Sequence, residues 1–315
     1  MVNDQQVILH WYPQSPFAQK IFFVLKYKKI DFKTVEISVM EPRPLRRPLD
    51  SNYERTPILQ IGNQVFCDTK LIIDELEKRY PEPSLYPLTR NGQSSKTLAY
   101  GVTHLLNTSV FSAIPTQFDW SKFPQAFIDS RSKFKGVPID IAKQKQMQPF
   151  LKLELQAQLD QLVEGLVNDQ WILDTAQPSD SDFSLAMITF FLYAVLGQDW
   201  TKEHYPLLAA HYKRVNALIS SQPTPLDLTA EEALEIAKQQ QSIPPQGSSS
   251  SSSLFTIGEQ VSVTPLDTAR TPAVGELVSL TSQRVIIRTH DDRTGYVYIH
   301  FPMAYYVVTP ISSRL

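Results

Sequence analysis

The stretch Arg55-Thr-Pro-Ile-Leu-Gln-Ile-Gly-Asn-Gln-Val-Phe-Cys-Asp-Thr-Lys70 constrains this chain more than any other. It reads as strand, two-residue turn, strand, then a helix opening at Asp68-Thr69. Pro57 lacks an N–H, so it is confined to a strand start, an edge or a special turn. Asp68 or Thr69 caps the helix and leaves backbone N–H groups pointing outward, an arrangement that attracts anions. One hairpin therefore brings together two backbone devices suited to a small carboxylate-bearing ligand.

The rest of the chain is too long for one core: 315 residues predict two or three domains. A net charge of -2 gives no electrostatic case for nucleic acid or an anionic membrane. The single cysteine, Cys67, excludes an internal disulfide and fits a reducing compartment. Met1–Gln6 has neither the basic start nor the apolar run of a signal peptide. The longest apolar run, Phe183–Leu196, is too short to span a bilayer. A cytoplasmic location is expected, without membrane or nucleic-acid partners and without a metal site.

Taken in order, Val7–Tyr12 reads as a buried strand. Phe17–Tyr27 has helical spacing, with Phe17, Ile21, Val24 and Leu25 on one face. Phe32–Ile37 alternates as a second strand. A strand-helix-strand unit of this length predicts parallel pairing through a right-handed crossover. The prolines of Glu41–Tyr53 allow at most one helical turn. Ile58–Ile61 and Val65–Phe66 flank Gly62-Asn63 as an antiparallel hairpin, and Thr69–Tyr80 is an amphipathic helix. The order β-α-β-loop-β-β-α is that of a thioredoxin-like α/β layout.

After Gly92 the period becomes helical throughout. Ser95–Ile114, Lys143–Val167, Phe183–Gly197 and Ala209–Ser220 predict an all-helical second domain. Ser179 with Asp182 is an N-cap with an acid at N3. Thr229 opens a short helix reaching about Gln241, and Ser242–Ser253, with six consecutive serines, reads as a tether. Beyond it, Gln260–Thr264, Gly275–Leu280, Arg284–Arg288 and Gly295–Ile299 are spaced as short strands, and a small SH3-like barrel is expected.

This arrangement resembles the cytosolic glutathione S-transferase superfamily. Tyr12-Pro-Gln-Ser-Pro-Phe-Ala-Gln-Lys-Ile21 is similar to its active-site turn and first helix in the serine-type signature. Thr56-Pro57 resembles its dipeptide before a cis-proline, Asp68-Thr69 its acid-plus-hydroxyl pair, and Ser179-x-x-Asp182 its helical-domain capping box. The whole chain looks like fungal glutathione-transferase-like proteins with an appended C-terminal domain. The resulting division is 1–88 thioredoxin-like, 92–228 all-α, 229–253 helix and linker, and 254–315 all-β barrel.

The resemblance implies that glutathione is bound. Ser15 would donate a hydrogen bond to its sulfur, favouring the nucleophilic thiolate over the thiol; plain capping of the helix is the structural alternative for the same residue. Phe17 belongs to that signature. Thr56 would offer its backbone to the cysteinyl unit across a cis bond to Pro57. Asp68 would hold the γ-glutamyl ammonium and Thr69 the carboxylate, with capping again the alternative for Asp68. Arg43, with Arg46 and Arg47 behind it, is expected to meet the glycyl carboxylate. Tyr12, Tyr100, His104, Asn107 and Phe111 would line a pocket for a second substrate, an electrophilic small molecule.

The reaction implied is glutathione addition, as a transferase of detoxification or secondary metabolism. An isomerase or lyase of the same site, and a non-catalytic binding protein on the same fold, are the alternatives. A homodimer is implied as well. The aromatics of the last segment, Tyr296, Tyr298, Phe301, Tyr305 and Tyr306, are expected to form a core and to dock on the helical domain.

Overall fold

The computed structural model describes residues 5–243 and 254–311. Its first half follows the hydrophobic periods closely. Strand β1 (Val7–Trp11), helix α1 (Pro16–Tyr27) and strand β2 (Phe32–Glu36) form the crossover unit, and β1 and β2 pair in parallel. The proline-rich loop holds one turn, α2 (Arg47–Asp50). Strands β3 (Ile58–Ile61) and β4 (Gln64–Cys67) form the antiparallel hairpin, and α3 (Thr69–Arg79) follows at once. The Gly62 backbone has φ +57°, and a Cβ there would stand 2.9 Å from Gln240 O, so the turn also accommodates a chain crossing over it.

The helical half contains α4 (Lys96–Leu105), α5 (Phe111–Ala113), α6 (Gln125–Lys135), α7 (Ile141–Glu164), α8 (Asp180–Leu196), α9 (Gln198–His204) and α10 (Pro206–Ile219). The span expected as one helix over Ser95–Ile114 is interrupted by a π-helical turn, Leu106–Val110. Helices α6 and α9 were not anticipated. Helix α8, buried over most of Asp180–Leu192, is the hub: it packs against α1, α4 and α10. Lys20 of α1, itself buried, reaches Asp180 at the start of α8 at 2.7 Å and fixes the two halves together.

A two-residue strand, β5 (Leu226–Asp227), pairs with β2, and α11 (Ala230–Gln239) follows. Residues 244–253 of the expected tether lie outside the described residues. The last segment supplies β6 (Gln260–Pro265), β7 (Ala273–Leu280), β8 (Arg284–Asp291), β9 (Gly295–Pro302) and β10 (Tyr306–Pro310).

These five strands do not close into the expected SH3-like barrel. They extend the first sheet, giving ten strands in the order β10-β6-β7-β8-β9-β4-β3-β1-β2-β5. The junction is parallel, with Gln64 opposite Tyr298, Val65 opposite Ile299 and Phe66 opposite His300. The main docking partner is therefore the thioredoxin-like half and not the helical one. An open edge at β4 offers unpaired backbone groups, and β9 satisfies them. Val65, Cys67, Ile58, Leu49 and Tyr53 share one apolar core with Val261, Leu277, Ile287, Ile299, Phe301 and Tyr306. No single helix among the described residues is long and apolar enough to cross a membrane.

Candidate functional site at one end of the sheet

Strand register decides which residues meet. His10 of β1 lies opposite Ile58 of β3, and Ile58 lies opposite Cys67 of β4. The residues just beyond, Tyr12–Ser15, Thr56–Pro57 and Asp68–Thr69, therefore share one end of the sheet. The N-termini of α1 and α3 both start there, so two sets of free backbone N–H groups face the same region.

Ser15 caps α1. Its Oγ accepts from Ala18 N at 3.4 Å and it is buried. The peptide Thr56-Pro57 is cis, and Thr56 Oγ1 accepts from Arg46 Nη1 at 3.2 Å. Asp68 caps α3 with a backbone φ of +77°, a conformation that a non-glycine residue holds only when its surroundings enforce it. Its Oδ1 accepts from Lys70 N at 2.9 Å and its Oδ2 from the Tyr306 hydroxyl at 3.2 Å. Burial pushes the Asp68 carboxyl above its ordinary range, against the opposing pull of the Lys70 amide, Arg55 and Tyr306. Thr69, half-buried, is the first residue of α3.

The arginines take a different role from the one expected. Arg43 is buried, with Nε on Ser38 O at 2.8 Å, Nη1 on Glu54 O at 2.8 Å and Nη2 on Val39 O at 3.1 Å. Its guanidinium also pairs with Glu41 at 3.0 Å. Arg46 pairs with buried Asp50 at 2.5 Å, and Arg47 pairs with Glu41 and Asp50. All three hold the proline-rich loop in shape. A loop too rich in proline for backbone hydrogen bonds leaves its carbonyls to be met by side chains. Arg43 is thus a structural residue of this loop and not a free cation for a ligand carboxylate.

The second-substrate candidates fall into two groups. Phe17 and Phe111 touch, with ring centroids 4.6 Å apart, and Phe111 continues to Phe191 at 5.2 Å. Tyr100 stacks on His104 at 6.3 Å, and the Lys70 ammonium lies 5.9 Å from the Tyr100 ring, which sets this side chain opposite the start of α3. Asn107 sits in the π-helical turn, and its Oδ1 is buried without a hydrogen-bond partner among the described residues. Tyr12 is half-buried beside Ser15. Cys67 is fully buried and burial raises its thiol well above the ordinary range, so it is inert as a nucleophile.

Three contributors to this end of the sheet were not visible in the sequence. Because β9 runs parallel to β4, the chain leaving β9 emerges beside Asp68 and delivers Tyr305 and Tyr306. Tyr305, at φ +69°, stacks on His104 at 5.5 Å. Arg55 pairs with Asp267 and donates to Thr268 O at 2.6 Å. Of the appended aromatics, Tyr298, Phe301 and Tyr306 are core residues, whereas Tyr296 and Tyr305 are about half exposed.

The fold and site define a thioredoxin-like domain followed by a helical domain, with paired helix N-termini, a cis-proline and an acid-hydroxyl pair at one sheet end. Residues 9–84 match the family model of the glutathione S-transferase N-terminal domain. A glutathione S-transferase of Arabidopsis thaliana, DHAR2, is 34% identical over 74 residues, which are 22% of this chain and 32% of the relative. That match spans about a third of the relative's length. A crystal structure of a GST-like protein from Pseudomonas syringae aligns over 97% of this chain and 99% of its own, at 25% identity and a TM-score of 0.71. Its likeness takes in the appended strands. A glutathione S-transferase from Methylobacterium radiotolerans, solved with glutathione sulfonate, shares the fold over 71% of this chain and 97% of its own, at 20% identity and a TM-score of 0.50. The family-model match thus covers residues 9–84, and the Pseudomonas syringae likeness carries the fold over nearly the whole chain.

Proposed function

We propose that this protein binds glutathione at the shared end of β1, β3 and β4 and activates its thiol for addition to an electrophilic small molecule. The observation that carries the reading is the register, which brings Ser15, the cis Thr56-Pro57 peptide and Asp68-Thr69 together. The residues suit a tripeptide thiol. Asp68 offers a carboxylate to the γ-glutamyl ammonium, and Thr69 offers a hydroxyl and a helix-end N–H to the carboxylate beside it. Thr56 presents its backbone to the cysteinyl unit. Ser15 Oγ accepts from Ala18 N, which leaves its own proton to donate to the sulfur. That hydrogen bond, with the N-terminus of α1, favours thiolate. Phe17, Phe111 and Tyr100 supply apolar surface for the electrophile. The Methylobacterium relative's glutathione sulfonate complex supports the choice of ligand.

The test is calorimetry with glutathione together with conjugation of a model electrophile. Ser15→Ala should retain binding and lose about 10²-fold in turnover, the scale of one removed transition-state donor. Absence of glutathione binding by the unaltered chain would overturn the proposal. A cytoplasmic location is part of the same reading, and so is a homodimer. Light scattering on the full chain measures that state, and a monomer would overturn the homodimer.

A further inference from the structure

The appended strands reach into the proposed glutathione site through one hydroxyl group. Tyr306 is buried, and its hydroxyl donates to Asp68 Oδ2 at 3.2 Å. Since that proton is committed, the neighbouring Tyr53 hydroxyl, 3.1 Å away, donates to the Tyr306 oxygen. The result is a relay Tyr53–Tyr306–Asp68 running from the loop after α2, through the appended sheet, to the cap of α3. Asp68 Oδ1 is held separately by Lys70 N. Each carboxylate oxygen has a fixed donor and keeps a further lone-pair direction open. Arg55 adds to the clamp. It pairs with Asp267 of the β6–β7 loop and lies 5.9 Å from the Tyr306 ring. The strained backbone at Asp68 thus lies beside groups of both halves, of which Tyr306 and Asp267 come from the appended segment.

We infer that Tyr306 is a positioning residue for ligand binding: it orients the Asp68 carboxylate towards the α-ammonium of a γ-glutamyl ligand, so that the C-terminal strands are part of the binding site. This rests on the glutathione reading above. The physical case is one of competing pulls. Burial favours the neutral acid, which would offer an ammonium no charge, while a donor to the carboxylate favours the charged form. The phenol does this and also selects one rotamer, so less ordering is needed when the ligand arrives. A parallel β4–β9 junction is what makes this possible, because an antiparallel one would send the following turn to the far end of the sheet.

The experiment compares two ligands on the full chain by calorimetry: glutathione, and its analogue with a glutaryl group in place of the γ-glutamyl group, which lacks the α-amino nitrogen. Tyr306→Phe keeps the ring in the core and removes only the hydroxyl. Glutathione affinity should fall about tenfold, the effect of one hydrogen bond to a charged group, while affinity for the analogue should not change. Tyr53→Phe, one step further from Asp68, should shift glutathione in the same direction by a smaller factor, and it carries the test should Tyr306→Phe fail to fold. Equal weakening of both ligands would mean that Tyr306 merely holds the structure. Unchanged affinity for both would mean that it does nothing for binding. Either result overturns the inference while glutathione binding by the unaltered chain stands. Loss of binding in the unaltered chain would instead remove the reading beneath it.

Discussion

Arg284 Nη2 meets Glu75 Oε2 at 2.9 Å, tying strand β8 of the appended sheet to helix α3 of the thioredoxin-like half. Glu75 is buried, and its other oxygen accepts from Arg79 Nε at 2.7 Å. Burial works against its charge, but the two guanidinium groups outweigh that and hold the carboxyl below its ordinary range. Arg284 also covers the Phe66 ring at 5.8 Å. Substituting Arg284→Met retains much of that cover and removes one of two partners of a buried charge. A loss of about 1.5 kcal/mol is expected from denaturant unfolding, at the lower end for such bonds because Arg284 is partly solvated. An unchanged midpoint would show that Arg79 alone satisfies Glu75.

Removal of residues 254–315 should be far more damaging. It uncovers the backbone groups of β4 along Gln64–Phe66 and strips the apolar partners from Leu49, Tyr53, Ile58 and Val65. An exposed, flat, apolar edge pairs with other chains. The truncated protein should elute as aggregate in size-exclusion chromatography. A monodisperse product with the parent's thermal midpoint would mean that the thioredoxin-like half is complete without the appended strands.

That dependence also marks where the sequence stops being legible. The strand-helix-strand unit, the Gly62-Asn63 hairpin and the Asp68 and Ser179 caps are local patterns, and all were readable. The strands of the last segment were readable too, one by one. Their partner was not. Pairing of Phe66 with His300 spans most of the chain, and alternation says which face is apolar without saying which edge is filled. Tyr306 escaped for the same reason: nothing near it in sequence points to Asp68. Arg43 misled because a charge is visible in a sequence while the loop carbonyls that absorb it are not. The π-helical turn at Leu106–Val110 leaves helical spacing nearly intact and so was hidden.

Asp182 should prove the most sensitive polar residue of the helical half. It is fully buried and accepts from Ser179 N at 2.8 Å, Ser179 Oγ at 2.7 Å, Ile172 N at 2.9 Å and His211 Nε2 at 2.9 Å. Those bonds cap α8 and also tie the preceding loop and α10 to it. Replacing Asp182 with alanine strands four buried donors, and a cost of about 3–5 kcal/mol is expected. Ser179→Ala removes one of them and should cost about 1 kcal/mol. Thermal unfolding followed by circular dichroism checks the ranking. Equal effects for the two variants would mean that the cap alone matters and the His211 and Ile172 bonds do not.

Two of the three buried histidines among the described residues, His10 and His300, give the fold an acid limit. His10 Nε2 donates to Gln60 Oε1 at 2.8 Å, and His300 Nε2 donates to Gln64 Oε1 at 2.7 Å. The amides of both glutamines are spent elsewhere, on Gly62 O and Ala233 O for Gln60 and on Ser242 O for Gln64. Burial, partly offset by the Gln60 bond, lowers His10 from 6.5 to about 4. Burial together with Arg284, Arg79 and Lys78 lowers His300 well below 6.5. The unfolded chain therefore binds protons below pH 6.5 that the folded chain refuses, and stability falls as pH falls through that window. Each histidine should account for about 1.4 kcal/mol lost per pH unit once its unfolded form is protonated. Denaturant midpoints at pH 7, 6 and 5 measure the slope. His10→Asn should lower stability at pH 7 through lost packing and reduce the slope to roughly that of one histidine. A slope unaltered by that substitution would show that His10 does not set the acid sensitivity in this window.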